Sequence, residues 1–129
     1  MTPETGEFLA KARELLEEAE AVLAVKRYNA AGRAAYLAAF NAAQALISER
    51  TDRTVKTHRG VRAELHRITK DDPHFNPELR TFLARTYQLK AIADYETGPG
   101  AHITPEQAKD AITGAHQFVE AIVTLIGEQ

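Results

Sequence analysis

The 129-residue chain contains no cysteine. That absence excludes disulfides, thiolate nucleophiles and zinc–thiolate sites, so the fold must hold by packing, and the length suffices to bury a core without such support. A cysteine-free chain also fits a reducing, cytoplasmic home. No apolar run approaches the roughly 20 residues a membrane helix needs, and the opening MTPETGEF lacks the basic-then-apolar order of a secretion signal. No stretch alternates with the two-residue period of a half-buried strand. The expectation is one soluble, all-helical domain spanning residues 1–129, with no membrane association.

Helix starts are legible instead. A capping residue followed by proline occurs at Thr2-Pro3, Asn76-Pro77 and Thr104-Pro105, where each proline removes an amide that would lack a helical partner. Gln107, three residues after Thr104, completes a capping-box pattern. Apolar spacing between breaks predicts helices near 3–25, 30–49, 57–69, 77–95 and 105–126. The breaks are Asn29-Ala30, the Thr51 to Lys56 segment, Asp71-Asp72-Pro73 and Gly98-Pro99-Gly100. The first helix carries one apolar stripe (Leu9, Ala12, Leu15, Leu16, Ala19, Val22, Leu23) and the last another (Ala108, Ala111, Ile112, Ala115, Val119, Ile122, Ile126). The architecture is an antiparallel bundle of four main helices plus one short helix.

The second helix is distinctive, since Ala31, Ala35, Ala38, Ala42 and Ala45 recur at three- and four-residue steps and line a side that another helix can approach closely. Tyr36 and Phe40, four apart, read as a stacked packing pair. This helix leads into a basic region: from Arg50 to Lys70 there are seven lysines and arginines against Asp52 and Glu64, although the net charge of the chain is −2. Up to Val25, by contrast, six glutamates face only Lys11 and Arg13. That asymmetry suggests an anion-facing surface.

Within the basic region, four-residue spacing places His58, Arg62 and His66 along one helix. Two histidines around a guanidinium supply the group types that metal-free RNA cleavage requires: proton carriers with pKa values near neutrality and a fixed cation for the phosphate. The alternatives are that His58 caps neighbouring amides or bonds a buried carbonyl and that His66 is simply solvated. Lys90 and Asp94 have ion-pair spacing, and with Tyr95 they either close the bundle floor or border a groove for a nucleotide or a partner. No HExxH motif or comparable ligand cluster supports a metal, and Gly98-Pro99-Gly100 lacks the lysine and the strand-to-helix setting of a phosphate loop. Arg59, Arg62 and Arg67 on a short helix give sequence-specific DNA reading only minor standing against the overall acidity. No cofactor is implied.

The series AAYLAAFNAAQALI, KTHRGV, LKAIADYE and ITPEQAKDAITGAHQFVEAI resembles, block by block and in order, the small stand-alone prokaryotic HEPN-domain proteins, over about Glu14 to Ile126. The resemblance implies a dimerising helical bundle, a frequent nucleotidyltransferase-type partner and, in many relatives, metal-independent RNA cleavage by an Arg and a His four to six residues apart. The chain departs from that pattern. From Arg85, near the end of the fourth helix, the next histidine after His74 is His102, far outside that spacing; Lys90 stands where relatives often have Arg, and Asn41 replaces a histidine. The expectation is a homodimer that acts on or binds RNA or a nucleotide in a toxin–antitoxin-type system. His58 and Arg62 are the catalytic candidates, and Arg53, Lys56, Arg59, His66, Lys90, Asp94 and Tyr95 the binding candidates. The alternative is a non-catalytic dimeric subunit with a structural or partner-presenting role. The dimer surface is expected on the alanine-lined helix or the last one.

Overall fold

The computed structural model of the chain describes residues 1–95, 97–98 and 101–127; Pro99 and Gly100, read as part of a break, lie outside the described residues. Five helices follow in order: α1 (Pro3–Ala24), α2 (Tyr28–Thr51), α3 (His58–Thr69), α4 (Pro77–Tyr95) and α5 (Pro105–Gly127). There is no strand among the described residues. With 12 residues α3 is the short helix, against 19 to 24 in the other four.

The caps are where the sequence places them. Thr2 Oγ1 accepts from Thr5 N at 3.0 Å, Asn76 Oδ1 from Leu79 N at 2.9 Å, and Thr104 Oγ1 from Gln107 N at 3.1 Å. Thr104 N donates in return to Gln107 Oε1 at 2.8 Å, closing the capping box. Thr57 caps α3 by accepting from Gly60 N at 2.9 Å. The end of α1 is made by Lys26 at φ 63°, with Lys26 N bonding Leu23 O and Arg27 N bonding Val22 O, both at 2.9 Å. This left-handed closure favours glycine, and a lysine there costs about 1 kcal/mol.

Helix α2 begins two residues earlier than the spacing predicts, because Asn29 does not break it. Its amide instead donates to Ala101 O at 3.0 Å and accepts from Ile103 N at 2.8 Å, fastening the segment before α5 to the start of α2. At the other end, Thr51 Oγ1 donates to Ile47 O at 2.7 Å, and Asp52, at φ 57°, closes the helix two residues later than predicted.

Helix α2 is the axis of the bundle and packs against all four other helices. Ala31, Ala35, Ala38, Ala42 and Ala45 are completely buried, as are Ala39 and Ala43, so the helix is enclosed on more than one side. The alanine face is therefore filled within the chain, chiefly by α1 and α5, and the expectation that it serves a dimer is corrected. The predicted α5 stripe is buried throughout, joined by Phe118 and Leu125. In the α1 stripe, Val22 and Leu23 are only partly covered.

At the α4–α5 end, Phe118 packs edge-on against Phe75 and in a stack on Phe82, each pair with centroids 5.7 Å apart. A Cβ at Gly114 would overlap Cε1 of Phe82 and fall 3.0 and 3.1 Å from its Cδ1 and Cζ, in a ring that is itself only 3% exposed. Relieving backbone entropy by Gly→Ala in a helix gains about 0.5–1 kcal/mol, whereas overpacking a core costs about 1–3 kcal/mol. Gly114→Ala is expected to lower unfolding stability by about 1–2 kcal/mol in urea denaturation, on that balance. An unchanged or raised midpoint would show that the Phe82 ring yields without cost.

Candidate functional site

Tyr36 lies in α2 with its side chain wholly buried. A buried phenol needs a partner for its hydroxyl, and here the partner is Nδ1 of His58, at 2.6 Å. His58 is the first residue of α3, and Thr57, not His58, performs the capping. Its ring is enclosed by Phe40 at 4.7 Å, Tyr87 at 5.0 Å and Tyr36 at 5.5 Å between centroids. Tyr36 and Phe40 do pair, at 5.8 Å, but the packing pair read from the sequence is also the floor under a histidine.

One turn along α3, the Arg62 guanidinium lies over the Tyr87 ring, 5.6 Å from its centroid. One turn along α4 from Tyr87 comes Lys90, whose Nζ meets Asp94 Oδ2 at 2.8 Å while the other carboxylate oxygen takes Arg33 Nε of α2 at 2.7 Å. The Lys90 ammonium also lies 5.2 Å from the centre of the Tyr95 ring, and Tyr95 is 73% exposed. Three helices thus contribute one histidine, three cations and one carboxylate to a single connected cluster.

The electrostatics follow from that placement. Burial, then the charges of Lys90 and Arg62, hold the His58 imidazole below its ordinary value, and Asp94 only partly offsets them. Burial raises the Tyr36 phenol, with Tyr87 adding to the rise and Arg62 opposing it. The hydrogen bond from Lys90, and then that from Arg33, hold the Asp94 carboxyl low, while Asp94 raises Lys90 in turn. Near neutral pH the imidazole and phenol are uncharged, and Arg62, Lys90 and Arg33 stand against one carboxylate.

The remaining candidates divide. Lys56, Arg59 and His66 are exposed and make no ion pair among the described residues. At about 100° per residue, His66 lies roughly 80° around the helix from His58, so only Arg62 shares the enclosed side. Arg53 is drawn elsewhere: its guanidinium meets Glu64 at 3.1 Å, and Arg67 binds the same carboxylate. Those two arginines, Arg67 foremost, hold Glu64 low. The sequence reading missed Arg33 and Tyr87 and assigned Tyr36 to packing alone. The available signal was a phenol among alanines, whose hydroxyl had to be satisfied. No helix is long and apolar enough to cross a membrane, and no group of three or more His, Asp or Glu could hold a metal ion, among the described residues.

Against this geometry stand two comparisons. The family model described as HEPN domain matches residues 5–126. The chain belongs to the HEPN family. A UPF0332 protein of Thermotoga maritima is similar to it, 31% identical over 116 residues that cover 90% of this chain and 86% of that protein. In this HEPN protein, Arg85 lies over the Phe82 ring at 5.6 Å and lines the groove between α4 and α5, whereas His102 lines a different cavity, beside Arg33. Among the described residues no Arg and His pair is joined at the end of α4.

A histidine whose folded-state value is depressed contributes stability above its unfolded pKa of about 6.5, and that contribution is lost as pH falls through the folded value. The His58 imidazole is expected to titrate by NMR below about 6.5 in the folded protein and to move upward in Arg62→Gln, where one opposing charge is gone. A midpoint unaltered by that substitution would remove Arg62 as a cause of the shift.

Proposed function

We propose that this HEPN protein binds RNA across the α3–α4 face and cleaves it without a metal at His58. The observation that carries the reading is a neutral imidazole, gripped through Nδ1 by Tyr36 and flanked by the cations of Arg62 and Lys90. The family, which is RNA- and nucleotide-related, supports the substrate class.

The chemistry runs through the tautomer in which Nδ1–H donates to Tyr36 Oη, leaving Nε2 as the base. Nε2 takes the 2′-hydroxyl proton; the 2′-oxygen attacks phosphorus and closes a 2′,3′-cyclic phosphate as the P–O5′ bond breaks; the departing 5′-oxygen takes a proton from water, and the hydroxide so formed recovers the proton from Nε2. Arg62 and Lys90 carry the charge that grows on the phosphoryl oxygens. Tyr95, exposed and backed by Lys90, offers a ring for base stacking, and Lys56, Arg59 and His66 are exposed cationic or titratable groups on or beside α3 that add to its attraction for a polyanion. The protein acts as a homodimer, with a nucleotidyltransferase-type partner in a toxin–antitoxin-type system in the cytoplasm. With the alanine face of α2 filled, the outer side of α5 is the remaining expected contact between copies.

A second reading is binding without cleavage, in a dimeric subunit that presents its groove to RNA or to a partner. It is favoured by the three rings packed around His58 and by the separation of Arg85 from His102. The two readings part on one comparison. Cleavage of single-stranded RNA by the purified protein in excess chelator is expected to fall about 10²–10⁴-fold in His58→Ala, the usual contribution of a general base, while RNA affinity changes little. Arg62→Ala is expected to weaken RNA binding and reduce the slope of log affinity against log salt by about 1. Binding that responds to Arg62, with no cleavage in the wild type, would establish the second reading. Affinity unchanged in both variants would sink the site.

A further inference from the structure

Helices α4 and α5 touch each other far less than either touches α2. Between them lies a groove of about 540 Å3, within the range of small-molecule sites. Phe82, Leu89 and Ile92 of α4 and Ala111 of α5 give it an apolar floor. Its lining holds one charge of each sign among the described residues, Arg85 on α4 and Asp110 on α5. Both are exposed, and neither makes an ion pair or a side-chain hydrogen bond among the described residues. The Arg85 guanidinium is steadied over the Phe82 ring, 5.6 Å from its centroid, with its nitrogens unclaimed.

The register of the two helices places these charges. They run antiparallel, and Gly114 and Phe118 of α5 both meet Phe82 of α4. Arg85, three residues beyond Phe82, is therefore level with Ala111 and Asp110, three and four residues before Gly114. The guanidinium and the carboxylate stand on opposite walls at one level of the groove, and no ion pair joins them. From that level the floor runs on past Leu89 to Ile92, about 10 Å along α4 at 1.5 Å per residue. Two facing, uncommitted charges of opposite sign with one apolar channel leading away complement a zwitterionic head group that carries a single apolar chain. A simple carboxylate would leave Asp110 unmatched beside it, and a simple amine would leave Arg85 so.

We propose that the groove between α4 and α5 binds a free α-amino acid with a large apolar side chain. Arg85 takes the carboxylate in the two-pronged manner of a guanidinium, Asp110 accepts from the ammonium, and Leu89 and Ile92 cover the side chain. The proposal does not rest on the RNA reading, with which it shares no residue.

The test is isothermal titration of the intact protein with phenylalanine, 3-phenylpropionate, phenethylamine and acetyl-phenylalanine amide at neutral pH and fixed ionic strength. Phenylalanine is expected to bind saturably, and about tenfold or more tighter than the two analogues that each lack one charge. Arg85→Gln is expected to weaken phenylalanine about tenfold or more and leave phenethylamine unchanged, while Asp110→Asn weakens phenylalanine equally and leaves 3-phenylpropionate unchanged. A merely structural role for either residue would not produce that crossed pattern. Both side chains are exposed and unpaired among the described residues, so the melting temperatures of the variants should stay at the wild-type value. The Leu89 and Ile92 methyl resonances should move during the phenylalanine titration. Absence of saturable binding, equal affinity for the uncharged acetyl-phenylalanine amide, or variants that weaken every ligand alike would overturn the proposal. Failure here with RNA binding intact leaves the His58 reading standing, and the reverse outcome leaves this one.

Discussion

The rest of the structure depends on how closely other helices can approach α2. A helix of leucines holds its neighbours at the usual 8–10 Å; alanines at consecutive turns and on more than one side allow close approach around a single axis. Ala31, Ala35, Ala38, Ala39, Ala42, Ala43 and Ala45 are all completely buried. Because α2 touches every other helix, its few large or polar side chains are forced into the seams between neighbours. Arg33, Tyr36 and Phe40 are the ones that reach toward α3 and α4, so the packing that closes the bundle also fixes where polar chemistry can occur.

Tyr36 shows how packing positions a polar group. A phenol with a buried ring loses its water, and leaving its hydroxyl unpaired would cost about 1–3 kcal/mol. Meeting His58 Nδ1 satisfies it, and in doing so fixes the imidazole plane and leaves Nε2 as the ring's other polar atom. The same burial is the leading cause of the depressed His58 value. The burial that orients the histidine is thus also the first cause that lowers its value, ahead of the charges of Lys90 and Arg62.

What could be read from the sequence was whatever depended on short range. The caps at Thr2, Asn76 and Thr104, the capping box at Gln107 and the Lys90–Asp94 pair are all relations across three or four residues, and all are present. Asn29 misled because a polar residue between helices reads as a break unless its partners are known, and those partners lie more than seventy residues away at Ala101 and Ile103. Arg33 escaped notice for the same reason, its carboxylate being sixty-one positions along the chain. In the basic stretch, charge counting gave the right density but not its division. Glu64 faces away from Arg62 on α3 and collects Arg53 and Arg67, leaving Arg62 to the aromatic side. Tyr36 was ambiguous in principle, since core packing and the support of a histidine call for the same residue at the same helical spacing.

On the proposed reading the cluster must supply a neutral base and a positive phosphate site, and one set of charges bears on both. Arg62 and Lys90 each make a protonated His58 less favourable, and in the proposed mechanism the same two cations receive the phosphodiester. When a phosphate occupies those cations its negative charge offsets theirs at the imidazole, and the pKa of His58 must rise toward its ordinary range. In the proposed mechanism the free site would therefore hold a proton acceptor, and the occupied site one that keeps the proton it receives. Net charge is a poor guide to such a site. With a screening length of about 8 Å at physiological salt, the exposed glutamates of α1 contribute little beside an arginine stacked on Tyr87 in the same cluster. A chain of net charge −2 can thus present a locally cationic surface, because the sign a phosphate meets is set by the few groups within one screening length of it.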